Sequence, residues 1–104
     1  MPSFLTPINE GVELAQKHYD DYKLTVDSAV GVGFGGVTSA HVVVLFSDRK
    51  VRARLTSADG SAQAVPVDGF FSVICATVPY TAIDLTRVAG QETRVQVFVG
   101  EKSP

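Results

Sequence analysis

The sequence predicts a mainly β fold: an antiparallel β-sandwich or small barrel of about 6–7 strands with one N-terminal amphipathic α-helix. Three observations predict it. From Lys23 onward, β-branched residues recur at every second position in short runs. Turn residues separate those runs at close intervals, as in "ADG" (Ala58 to Gly60) and "DG" (Asp68 and Gly69). The connections after Asp48 are too short for the crossover helices that a parallel sheet needs. An α+β roll, with the helix packed across a curved antiparallel sheet, is the alternative.

The helix is expected at about 7–22. Thr6 can cap it, Pro7 suits the first helical position, and Glu10 sits in the first turn where the helix dipole favours an acid. Ile8, Val12, Ala15, Tyr19 and Tyr22 follow the spacing of one helical face, and Glu13, Lys17 and Asp20 fall on the other. Strands are expected at about 26–34, 40–46, 50–57, 61–67, 70–76, 80–87 and 93–99, in a single domain covering 1–104. Within "VRARLTS", Val51, Ala53 and Leu55 point one way and Arg52, Arg54 and Thr56 the other. Pro66 removes a ladder donor, which places its strand at a sheet edge or ends it there. The Asp68–Gly69 pair reads as a second hairpin turn. In the last strand Val95, Val97 and Val99 share a face, with Arg94, Gln96 and Phe98 opposite. The strand count resembles that of an immunoglobulin-like sandwich, but with no Trp and one Cys the Cys…Trp…Cys core of that family is missing.

Composition narrows the function. The 104 residues are 45% hydrophobic and 19% charged, with a net charge of −2. Nucleic-acid binding favours a basic surface, and this chain has no excess of Lys and Arg. The start "MPSFLTPINE" lacks the basic and apolar regions of a signal peptide, and the apolar run Val42 to Phe46 is too short to cross a bilayer. The single Cys75 cannot form an internal disulfide. The expected setting is a reducing, aqueous one: cytoplasmic, or part of a particle, without a membrane partner.

One motif invites a chemical reading. Gly31, Gly33 and Gly36 spell G-x-G-x-x-G. In a dinucleotide site those glycines turn a strand into a helix whose N-terminus meets phosphate. Here "GFGGVTSAHVVVLF" runs into β-branched residues, so a bulged or bent sheet connection explains the glycines better than a phosphate cradle. Cys75, set among Phe71, Val73 and Ile74, reads as an inert buried thiol; His18 and His41 are the candidate bases it would need as a nucleophile. His18, His41 and Cys75 show no metal-ligand spacing. No catalytic set, metal or cofactor is therefore expected.

The favoured reading is a non-enzymatic protein–protein interaction or structural module, a component of a homo-oligomer or of a larger assembly such as a phage-like particle. The candidate binding residues are Gly33, Gly35, His41, Arg52, Arg54, Phe70 and Phe98. Phe70 and Phe98 oppose the core-facing residues of their strands, so a wet outer face would expose both rings as a contact surface. Lys50, Arg52 and Arg54 form a basic stripe that suits an acidic partner or a phosphate backbone, with a solvated face the favoured reading. The alternative is a small-ligand-binding protein or small enzyme, with a pocket between helix and sheet near the Gly31–Gly36 loop and His41 or Tyr22 as polar contacts.

Overall fold

The computed structural model describes residues 14–73 and 76–102. They form eight strands: β1 (Leu14–Leu24), β2 (Val30–Gly31), β3 (Val42–Ser47), β4 (Val51–Ser57), β5 (Ala62–Val67), β6 (Phe70–Val73), β7 (Tyr80–Arg87) and β8 (Thr93–Lys102). Two antiparallel sheets of four strands result. The first has the order β1-β8-β3-β6 and the second β2-β7-β4-β5. Only the β4–β5 connection stays within one sheet; every other step along the chain crosses from one sheet to the other.

The core lies between the sheets. Val43 and Leu45 of β3 and Val95, Val97 and Val99 of β8 face Val51, Ala53 and Leu55 of β4 and Ile83 and Leu85 of β7, all essentially buried. The alternation in β4 produces this directly: its even-numbered Arg52 and Arg54 are exposed while the odd-numbered apolar residues are buried. Pro66 lies in β5, the edge strand of the second sheet, where its missing N–H leaves no gap in a central ladder. At the β4–β5 turn, Gly60 takes φ +90° and Asp59 accepts hydrogen bonds from the Ser61 amide (2.9 Å) and hydroxyl (2.6 Å).

Two expectations are corrected. The N-terminal helix is absent from the described residues: the part of it from Leu14 onward is β1, and positions 7–13 lie outside the described residues. The cause is tertiary. β8 is apolar and buried in the middle of the sheet, and β1 pairs with it along its length, from Leu14 opposite Lys102 to Leu24 opposite Thr93. That ladder outweighs the local helical spacing, and Tyr19 and Tyr22, expected on one helical side, point to opposite faces of the strand. Without the helix, the roll with a helix across its sheet has no support among the described residues either. The second correction concerns Asp68 and Gly69. They do not close a hairpin within a sheet but carry the chain from β5 in the second sheet to β6 in the first, where the Gly69 carbonyl accepts from the Ser47 amide at 3.0 Å. A turn signal marks a reversal, and a reversal between sheets uses the same residues.

Leu45 is fully buried at the centre of the core. Leu45→Ala is expected to cost about 2–5 kcal/mol in urea unfolding, a large share of the roughly 5–15 kcal/mol available to a domain of this size.

Candidate functional site

The residues nominated from the sequence fall in three separate places. Gly33 and Gly35 lie in the connection between β2 and β3, and His41 ends that connection. Arg52 and Arg54 project from the outer face of the second sheet. Phe70 and Phe98 project from the outer face of the first. They do not converge on a common site.

The glycine connection packs down on the inner side of β1. The Gly33 amide donates to the Tyr22 hydroxyl at 2.8 Å. Gly35 has φ +59°, and a Cβ built there would lie 2.5 Å from His18 Nδ1. The amides of Val32, Gly33, Val37 and Thr38 donate to Ile83, Tyr22, Phe34 and Glu101, so much of the polarity a phosphate nest would use is spent inside the chain. The strand–helix transition of a dinucleotide site is not found: the segment leads into β3. The glycines serve close approach of backbone to β1, and the strand expected across 26–34 is regular only at Val30–Gly31.

His41 is a structural link. Its Nδ1 accepts from the Lys102 amide at 3.2 Å, its own amide donates to the Gly100 carbonyl and its carbonyl accepts from the Ala76 amide. His18 stands 3.7 Å from Asp20. Cys75 lies outside the described residues. Among the described residues, no three His, Cys, Asp or Glu side chains come together to hold a metal ion, and no helix is long and apolar enough to cross a membrane.

Arg52 and Arg54 border an open depression with Ala29, Ala62, Ala64, Asp84 and Thr86. The surface between the arginines and β5 is made of small side chains, and Asp84 lies opposite Arg54 in the ladder, so the basic stripe is locally mixed in sign. A second depression, of about 660 Å³, borders Phe46 and mixes Asp21, Lys23, Asp48 and Arg94.

The two phenylalanines behave differently. Phe70 is 54% exposed and its ring stands 4.9 Å from that of Phe46. Phe98, expected to be exposed on a wet face, is 2% exposed, because that face is not wet: Val42, Val44 and Phe98 form a second buried cluster on the side of the first sheet turned away from the core, with Leu14 and Phe46 packed against it. Tyr19, opposite Phe98 in the ladder, is 46% exposed, and the Asp21 carboxylate adds to partial desolvation in holding its phenol above the usual range. The sequence signal for this cluster was the run "HVVVLF", which is apolar at successive positions and therefore apolar on both faces of β3.

Three surface carboxylates tie connections to the sheets. Asp27 accepts from the Gly90 amide (3.1 Å) and Arg87 (2.9 Å), which holds its carboxyl below the usual range. Asp59 is lowered by the Ser61 hydroxyl and amide, and Glu101 by the Thr38 amide and hydroxyl. No protein-family model matches this chain, and comparison with curated proteins and with solved structures gives no match.

Two predictions follow from this geometry. Gly35→Ala is expected to destabilise by about 1–3 kcal/mol, from positive φ and collision with the His18 ring, and His18→Ala should recover part of that loss in a double-mutant cycle of urea unfolding. The lowered carboxyls favour the fold in their ionised form, so their contribution is complete above the ordinary carboxylate range and drains as pH falls through it toward their lowered values. A melting temperature that drops below about pH 4, with a smaller drop in Glu101→Gln, is the expected outcome in calorimetry.

Proposed function

We propose that this chain is a non-enzymatic structural and interaction module that self-associates or joins a larger assembly through the outer face of its first sheet. The observation that supports it is the chemistry of that face. An outer sheet face in an isolated sandwich is polar; at the β6 edge of this one Phe70 is exposed beside the partly buried Phe46, and the buried Val42, Val44 and Phe98 lie next to them. Phe70, half exposed and tilted against the ring of Phe46 at the β6 edge, supplies the rigid aromatic anchor that contact surfaces favour. The candidate residues at the glycine connection contribute to the fold and the two arginines to the opposite surface.

Light scattering after size exclusion, across a concentration series, tests the proposal. A concentration-dependent oligomer is expected, weakened about 30-fold in Kd (about 2 kcal/mol) by Phe70→Asp. A strict monomer at all concentrations contradicts it.

A further inference from the structure

We infer that the free edge of β1 receives the β1 strand of a second copy of this chain, antiparallel and centred on Tyr19, so that two first sheets join into one. The contact is made by backbone groups at the sheet edge opposite β6, and it stands apart from the Phe70 surface of the proposed function.

The alternation of the ladder decides which backbone groups of β1 face outward. The Ser47 amide donates to the Gly69 carbonyl and the Asp48 amide to the Arg94 carbonyl. Odd-numbered residues of β3 therefore turn their backbone groups to β6 and even-numbered ones to β8. By the same alternation Val95, Val97 and Val99 turn theirs to β1, where they meet Tyr22, Asp20 and His18. The backbone groups of Ala15, Lys17, Tyr19, Asp21 and Lys23 are left on the free edge. The Asp21 amide agrees with this: it donates to the carboxylate of its neighbour Asp20 at 2.9 Å. Among the described residues no strand pairs with this edge, and its 11 residues include neither proline nor glycine. An edge of that length is a template for another strand. The free edge of the second sheet differs, since β5 carries Pro66.

The charges of β1 select the occupant. Lysines on an edge ordinarily keep strands apart. Here each can have an acid opposite. A two-fold pairing that sets outward residues against outward residues must be centred on a residue of β1. Centred on Tyr19, it places Lys17 opposite Asp21 of the second copy and Asp21 opposite its Lys17, all on the outer side. On the inner side His18 meets Asp20 and Asp20 meets His18. Moving the centre to Asp20 sets Lys17 against Lys23 and Asp20 against Asp20. Moving it to His18 leaves Lys17 opposite Tyr19 and Asp21 opposite Ala15. Opposite charges across a ladder stabilise it and like charges weaken it, so the Tyr19 register is favoured over its neighbours. Lys17 has no ion pair of its own among the described residues.

Sedimentation velocity of the Phe70→Asp chain, in which the outer-face contact is weakened, tests the inference. A concentration-dependent dimer is expected there. Adding Lys17→Asp or Asp21→Lys is expected to raise its Kd about 30-fold, because opposite charges become like charges at two symmetric places. An equimolar mixture of the two reversals is expected to regain the parent affinity as a heterodimer, since every acid again meets a lysine. A monomer before any reversal, reversals that leave Kd unchanged, or a mixture no tighter than either reversal alone overturns the inference. Hydrogen exchange of the unsubstituted chain requires no variant to fold. The Lys17 and Tyr19 amides are expected to exchange several-fold more slowly as the chain is concentrated; exchange that stays constant across the series overturns the inference, whatever the outer face does.

Discussion

β3 is apolar on both sides and β8 joins it on the outer side through Phe98, and the rest of the structure depends on that constraint. Val43, Leu45, Val95, Val97 and Val99 enter the core between the sheets, while Val42, Val44 and Phe98 form a buried cluster on the opposite side. Strands buried on both faces must be central strands in a covered layer. This explains the order β1-β8-β3-β6, in which both of them have neighbours on each side. It also explains β1. Residues with a helical spacing become a strand because β8 offers a continuous ladder and would otherwise present its hydrogen-bonding edge to water.

The polar features serve this frame. The glycine-rich connection is shaped for contact with β1, not for an anion: its amides are used by Tyr22, Glu101 and backbone carbonyls, and Gly35 fits against the His18 ring only because it lacks a side chain. Asp27 clips the β1–β2 connection to Arg87 at the end of β7 and to Gly90 in the turn beyond it. These contacts lie on the surface and guide the chain through its repeated crossings between sheets.

The β-rich character and the antiparallel pairing were legible in the sequence because alternation and short turns are local properties. β4 is the clearest case, with Arg52 and Arg54 exposed between buried neighbours. What was not legible depended on partners distant in the chain. Ala15, Tyr19 and Tyr22 satisfy a helical period on their own, and only β8 makes them a strand. Asp68–Gly69 signals a reversal without saying which sheet receives the next strand. Phe98 alternates with core valines and so looked like a solvent-facing ring; its burial comes from Val42 and Val44, more than fifty positions earlier. The nominated site residues scattered for the same reason, since each was chosen for its local chemistry.

The central claim is that the outer cluster of the first sheet is a second core, and a pair of substitutions on β3 tests it most directly. Val43 faces the inter-sheet core and Val44 the outer cluster. The urea-unfolding cost of Val44→Ala should match that of Val43→Ala, about 1–3 kcal/mol for each. A cost for Val44→Ala within about 0.5 kcal/mol of zero, as at an ordinary surface position, with Val43→Ala fully destabilising, would contradict the account.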